Sequence, residues 1–372
     1  MFSKPISLVL VYVITIINIV VLASPLLAVI IPFVHVDNNA VIIEHALFQK
    51  IKFGFLLLCF IVSFLMLIYL VLDFLFGFSV RTSLKGCTRY EKIKDYDFLT
   101  DLFNQVKTKF GEKNVKLYIK NSDEVNAYAI SSLGSRAIVL TSGIINHYLN
   151  ECPDPKKFLY ALRSIIGHEM SHLVNKDFLP TFLIITNQKI TNLVSKLLFI
   201  IFNLATRAVS MMPFGGRTSS QLMRDAYSVI NFAVTFFNRF VVYNIYEFLR
   251  RTLSRSIEFR CDRQSAKAFG GKSMALALSM LGESGYYTIF STHPKTKSRM
   301  ARVENIKISD AIVKPQFFDS LSNYFALMFL MVICLYFAKQ AHVDYFVRIY
   351  LQDHEVMNRK VATLWQLISR LF

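Results

Sequence analysis

The chain has 372 residues, with 42 lysines and arginines against 25 aspartates and glutamates, a formal net charge of +17. It is 54% hydrophobic and its mean hydropathy is +0.42. That apolar share exceeds an ordinary soluble domain and calls for membrane segments. The basic excess suits an anionic membrane surface or a nucleic acid. No RNP-type, zinc-finger or helix-turn-helix signature accompanies it, and much of the charge flanks apolar runs, so it is assigned to the membrane side and no nucleic-acid partner is expected. Cys59, Cys87, Cys152, Cys261 and Cys334 are scattered and form no C-x-x-C pair. This argues against a disulfide framework or a cysteine-ligated metal and fits a reducing compartment.

In chain order, the first apolar run covers residues 6–33 without a charge, longer than the roughly 20 residues a bilayer crossing needs. Lys4 and the "LAS" at 22–24 would also suit a cleaved signal peptide. The run continues well past that point, which favours an uncleaved anchor. The second run, 53–78, is also of spanning length, with Asp73 near its end. After it come Arg81, Lys85, Arg89, Lys92 and Lys94, whereas the connection between the runs offsets Lys50 and Lys52 with Asp37 and Glu44. The basic flank and the chain after it are therefore expected in the cytoplasm.

The periodicity then changes. "DYDFLTDLFNQVKTKFG" predicts a helix closed by Gly111. Strands are expected at Val115–Lys120, 126–131 and 137–142, and a short helix over "SGIINHYL" with Ser142 as its N-cap. In "PDPKKFLYALRSIIGHEMSHLVNKD", Asp154 can cap a helix whose first turn holds Pro155. Phe158, Leu159, Leu162, Ile165 and Ile166 give it a buried face. Two further stretches, 179–205 and 227–249, are interrupted by Lys189, Lys196 and Arg239. They read as a hairpin that spans the bilayer or lies partly in its interface. A fifth run, 321–338, is uncharged but short. The closing "VATLWQLISRLF" puts Val361, Leu364, Trp365, Ile368 and Phe372 on one face, suited to a membrane, a partner or the protein's own core.

The chemistry concentrates at "HEMSH". His168 and His172, four apart on a helix, present their rings to one side and can share a metal at about 2.0–2.1 Å each. Glu169 sits at the rim of that face and can reach a metal-bound water as a general base without being a ligand. By themselves these five residues also fit a chance match on a solvated helix face; a third ligand decides between the two. Downstream, Glu258 can complete a His-His-Glu set. Asp262, four residues on, can hold the distal nitrogen of a ligand histidine. Taken singly, those two read as a solvent-facing stripe with Arg255 and Arg260.

"HEMSHLVNKD" resembles the H-E-x-x-H-x-x-x-x-D signature of the membrane metallopeptidases that include HtpX and the type I CAAX prenyl proteases. Ser171 resembles the HtpX branch. "SRSIEFRCD" followed by "SAKAFGG" is similar to that branch's S-R-x-x-E-[FY]-x-A-D helix, with Cys261 where alanine is usual. The resemblance runs from about Asn126 to Arg302; the chain beyond about Pro315 extends past the typical member. It implies two more elements. "STHPKTKSRMARV" is similar to an H-P-x-x-x-x-R motif, which would make His293 a donor to the oxyanion, with Tyr286 and Tyr287 as rival donors, and Arg299 a brace for acidic groups. "NAYAI" resembles a segment whose edge strand pairs with extended substrate, so that Asn126, Ala127 and Tyr128 would touch it.

The expected fold is therefore α+β and integral to the membrane. A gluzincin-like metalloprotease domain, with a small sheet, an edge strand, an HExxH helix and an ExxxD helix, would be attached to a transmembrane bundle of about four helices. The expected segments are an N-terminal hairpin (1–78), a catalytic part with the HExxH helix (79–178), a second hydrophobic hairpin (179–250), a catalytic part with the Glu helix (251–310) and a C-terminal tail (311–372). The expected activity is a zinc endopeptidase with one Zn2+ per chain, cleaving membrane or misfolded polypeptides in quality control. Its place would be the cytoplasmic face of a bacterial inner membrane, among lipids. A CAAX-type processing protease is ranked lower, because the spans are too few for that enzyme's large intramembrane barrel. A non-catalytic scaffold with structural zinc would want four closed ligands. A nucleic-acid binder would leave the His-Glu-His and Glu-Asp groupings idle.

Overall fold

The computed structural model describes residues 34–37, 40–43, 45–132, 135–178, 217–281 and 294–343, with isolated helical positions in 6–17 and 196–207 and one at 345. Most of the runs at 6–33 and 179–205 lie outside the described residues, as do Tyr286, Tyr287, His293 and the closing amphipathic stretch. The chain is mostly helical with a small mixed sheet, and it divides into two compact units. One comprises 1–18, 68–189 and 233–326; the other comprises 19–67, 190–232 and 327–372.

A short antiparallel pair, β1 (Val34–Asp37) and β2 (Ala40–Ile43), forms in the connection between the first two apolar runs. The second run lies within helix α1 (His45–Phe76). Asp73, near its end, is buried and accepts hydrogen bonds from the Ser79 amide at 2.8 Å and hydroxyl at 2.7 Å. That carboxylate thus caps the short helix α2 (Phe78–Ser83), which Gly77 enters at φ 61°.

In the first unit, β3 (Cys87–Arg89) leads to helix α3 (Leu99–Phe110), which Gly111 closes in the left-handed region at φ 65°. Three strands follow as expected to within a residue: β4 (Val115–Lys120), β5 (Ala127–Ser131) and β6 (Arg136–Thr141). The sheet order is β3-β4-β6-β5, with β4 and β6 parallel and the other pairs antiparallel. This leaves β5 at an edge. Helix α4 (Ser142–Glu151) starts one residue differently from expectation. Its N-cap is Thr141, whose hydroxyl accepts from the Ile144 amide at 3.2 Å. Ser142 instead accepts from the Ser122 amide at 2.9 Å and so fastens the loop before β5.

Helix α5 (Pro155–Val174) begins at Asp154, whose carboxylate accepts from the Lys156 amide at 3.0 Å. Phe158, Leu162, Ile165 and Ile166 are buried against α3 and the sheet, but Leu159 is 37% exposed, one position off the buried stripe. A long helical segment follows, formed by α6 (Arg217–Phe236), a π-helical turn at Phe237–Val242 and α7 (Tyr243–Phe269). Residues 227–249 are thus not one uninterrupted α-helix, although Val229, Phe232, Phe236 and Phe240 are all exposed. The remaining helices are α8 (Gly271–Met280), α9 (Thr296–Val303) and α10 (Phe317–Gln340), the last covering the fifth apolar run. Among the described residues, two helices are long and apolar enough to cross a membrane: α1 in its Leu56–Asp73 stretch, and α10.

The site is positioned by the close approach of α5 and α7. A Cβ at Gly167 would meet Phe269 Cε2 at 2.7 Å and Ser265 Oγ at 3.0 Å, below any ordinary contact. Ser265 donates to the Ser164 carbonyl at 2.6 Å, crossing between the helices at that point. Phe269 cannot swing aside freely, because its ring is covered by the Arg163 guanidinium and by Phe110. Gly167→Ala is therefore expected to lower the unfolding midpoint. Overpacking of roughly 1–3 kcal/mol outweighs the helix-propensity gain of about 0.5–1 kcal/mol. An unchanged midpoint would mean that these helices part without cost.

Candidate metal centre and cleft

Gly167 immediately precedes His168, so the helix contact it permits brings one turn of α5 against one turn of α7. His168 and His172 direct their Nε2 atoms at each other, 3.2 Å apart. Glu258 from α7 closes the triangle, its carboxylate oxygens 3.4 Å from His168 Nε2 and 3.8 Å from His172 Nε2. Donors bound to one tetrahedral ion at about 2.0–2.2 Å stand roughly 3.3–3.6 Å from one another, so the three side chains could hold a metal ion together.

Each imidazole has a carboxylate on its other nitrogen. His168 Nδ1 stands 2.9 Å from Asp262 Oδ1, close but off the line of an ideal hydrogen bond. His172 Nδ1 lies 3.0 Å from Asp177 Oδ2. A proton held at Nδ1 leaves the Nε2 lone pair facing the centre, the tautomer a metal ligand requires. Asp262 is in turn gripped by Arg299 from α9, with two contacts of 2.7 Å, and the same guanidinium reaches Glu258 Oε2 at 3.1 Å.

Asp177 owes its place to the end of α5. The Asp177 amide donates to the His172 carbonyl at 3.1 Å and the Lys176 amide to the Leu173 carbonyl at 3.2 Å. These are the two bonds of a Schellman turn. Its left-handed residue, usually glycine, is Lys176 at φ 54°. The chain thereby doubles back and returns the Asp177 carboxylate to the ring it has just passed.

Charge explains what this centre wants. Among the described residues, the buried carboxylates of Glu169, Glu258, Asp262 and Asp177 lie with the buried guanidinium groups of Arg260 and Arg299, and Arg260 is shared with Asp319. Negative charge is therefore in excess around the two imidazoles. Burial opposes protonation of His168, but Asp262 and Glu258 overcome it and lift the ring to about 10. Burial likewise opposes protonation of His172, yet Cys261 and Asp177 beside it raise it well above its usual value. Burial would push Asp262 up, but Arg299 and His168 hold it below the usual carboxylate range. Glu169 goes the other way: burial raises it against the pull of both histidines. A divalent cation at the three donors offsets that negative charge, so the donor set fits a metal in chemistry as well as in spacing.

The centre opens into a cleft of about 730 Å³. Glu169 lines it beside both histidines and Glu258. The edge strand β5 runs along it with Asn126, Ala127 and Tyr128, and Pro294, Thr296 and Arg299 close another side. Asn126 is held by its own neighbours, the amide donating to Thr141 Oγ1 at 3.1 Å and the side chain to Glu124 at 2.9 Å. The structure thus brings together nine of the ten residues singled out from sequence; His293 lies outside the described residues. Arg260 has no role in the sequence reading beyond the solvent-facing stripe that the histidine motif argued against. It is buried, not solvent-facing, and pairs with Asp177 and Asp319. Asp177 closes the histidine signature, yet the sequence alone assigned it no role; its spacing of five from His172 at a helix end was the available signal.

The model of the peptidase M48 family matches residues 99–307, which span strands β4 to β6, both histidines, Glu258 and Arg299. The chain belongs to peptidase family M48. A protease HtpX homolog of Salinibacter ruber is 24% identical over 236 residues, covering 56% of this chain and 74% of that protein. The crystal structure of Ste24p from S. mikatae aligns over 70% of this chain and 60% of its own, with 15% identity and a TM-score of 0.37. The chain thus spans less than two thirds of that structure's length. M48 peptidases are metal-dependent, in keeping with the donor set of His168, His172 and Glu258.

Metal uptake by these three residues must displace the protons that the raised imidazoles carry at neutral pH. Calorimetry of the metal-free protein at pH 7, in buffers of different ionisation enthalpy, is expected to show net proton release on ion binding. Because both rings are raised, apparent affinity should climb with pH from neutrality toward about 10. Uptake without proton release would contradict the assignment.

Proposed function

We propose that the chain is a zinc-dependent membrane endopeptidase of the HtpX kind, acting on the cytoplasmic side on membrane or misfolded polypeptides. The observation that carries this reading is the triangle of His168, His172 and Glu258 beside a buried carboxylate that is not part of it, in a cleft bordered by an edge strand. Two nitrogen donors and one carboxylate, with a fourth position open to the cleft, are the ligand pattern of catalytic rather than structural zinc. Zinc bound there supplies Lewis acidity to water and to the substrate carbonyl.

The chain's own residues do the rest. Glu169 takes the proton of the attacking water and passes it to the departing amine nitrogen; burial, which raises its proton affinity, suits that shuttle. Asp262 and Asp177 hold the two imidazoles in the ligand tautomer, and Arg299 fixes Asp262 and Glu258 together. His293 donates to the oxyanion. Asn126, Ala127 and Tyr128 offer the edge of β5 to an extended peptide, which pairs through its backbone with little demand on sequence. Ile165, Leu173, Leu278 and Leu281 line the same cleft, so apolar side chains of the substrate are accommodated. Helices α1 and α10 anchor the enzyme in the inner membrane of a bacterium, with the strongly basic segment after α1 on the cytoplasmic side.

Two variants test the division of roles. Glu169→Gln is expected to bind zinc stoichiometrically, by metal analysis of the purified protein, while casein cleavage falls by at least about a thousandfold. Equal cleavage by mutant and wild type would end the proposed mechanism. Glu258→Ala is expected to lose both zinc and cleavage. Full zinc retention there would require a different third ligand.

A further inference from the structure

We infer that Arg260 and Asp319 are positioning residues for the metal centre, and that they tie the ligand histidine His172 to the first turn of the apolar helix α10. The inference rests on the reading of His172 as a metal ligand. His172 Nδ1 contacts Asp177, Asp177 is bound by the Arg260 guanidinium, and the other arm of that guanidinium binds Asp319 in the first turn of α10. Arg260 is 7% exposed and Asp177 is 6% exposed, so neither charge has water to fall back on.

The family match ends at residue 307 and Asp319 lies beyond it. Position 260 is an unspecified one in the motif that the α7 sequence resembles. The brace thus reaches from the matched region into the C-terminal segment. Further bonds fasten that segment to the same end of α5. The Gln316 amide donates to Asn175 Oδ1 at 3.0 Å, Asn323 Nδ2 to the Asn175 carbonyl at 3.3 Å, and Lys176 Nζ to the Tyr324 hydroxyl at 2.9 Å. Gln264 Nε2 donates to the Lys314 carbonyl at 3.1 Å.

Electrostatics give the brace its effect. Asp177 can draw on His172 Nδ1–H only if its own negative charge is not fully cancelled. Asp319 takes part of the guanidinium's charge and leaves Asp177 a better acceptor, which makes His172 Nε2 the stronger donor. Without Asp319 the whole guanidinium falls to Asp177. Without Arg260 the buried Asp177 carboxylate loses its guanidinium partner and is no longer held in place against the ring.

The test is zinc affinity of the detergent-solubilised full chain, measured by competition with a chromophoric chelator, alongside the visible spectrum of the cobalt-substituted protein. Removal of an outer partner of a ligand histidine costs about 10–100-fold in metal affinity. Arg260→Gln is expected in that range and Asp319→Asn at about three- to tenfold, both with an altered cobalt spectrum. Asp319→Glu should restore most of the loss. The double variant should be no weaker than Arg260→Gln alone, because both residues act through one chain of contacts. Tyr324→Phe, which removes a neighbouring bond between α10 and the end of α5 outside that chain, should bind zinc as wild type does. Wild-type affinity and spectrum in both Arg260→Gln and Asp319→Asn would overturn the inference, as would a lowered melting temperature with unchanged affinity, or losses that simply add. His172→Ala separates the two readings: zinc retained there ends the ligand assignment itself, whereas zinc lost there with Asp319→Asn unaffected ends only the brace.

Discussion

Burying four carboxylates around two imidazoles is the constraint on which the rest of the first unit turns. An isolated buried charge is far too costly to keep, so every one must be paired. Arg299 is brought from α9 to cover Asp262 and Glu258, and Arg260 stands between Asp177 and Asp319. The arginines do not complete the account. The shortfall makes the imidazoles basic, and it makes the centre a place where a dication is welcome.

Packing meets that demand with rigid parts. The two histidines and Glu169 ride on α5, Glu258 and Asp262 ride on α7, and the two helices touch backbone to ring at Gly167 and Phe269. A hydrogen-bonded seam of Ser164 with Ser265, and of Ser171 and Asn175 with Gln264, runs along the same contact. A different kind of surface borders the cleft, the edge strand β5, whose loop is fastened by Thr141 and Ser142. The metal donors thus sit on two interlocked helices, and the cleft beside them is bordered by a strand edge.

Much of this was legible in the chain. The i, i+4 spacing of His168 and His172 and of Glu258 and Asp262 is a local property, since helical geometry alone decides which side chains share a face. Strand limits and the caps at Gly111 and Asp154 were equally local. Errors arose where neighbours far along the chain decide. Thr141 rather than Ser142 caps α4 because Ser142 is taken by the Ser122 backbone. Leu159 is exposed because the buried stripe of α5 is set by the elements that pack on it. Arg260 was given no role because nothing near it in sequence reveals two carboxylates, 83 residues before it and 59 after it.

The sequence by itself determined the donor types, their spacing and the membrane-compatible runs, because these depend on residue identity and on the regular pitch of helix and strand. Only the tertiary structure decided which carboxylate meets which imidazole, that β5 is the edge beside the cleft, and that Asp319 belongs to the centre's surroundings. Those are contacts between distant segments. They arise from how α5, α7 and the start of α10 pack and from the need to neutralise charge once it is buried, and no local pattern in the chain encodes them.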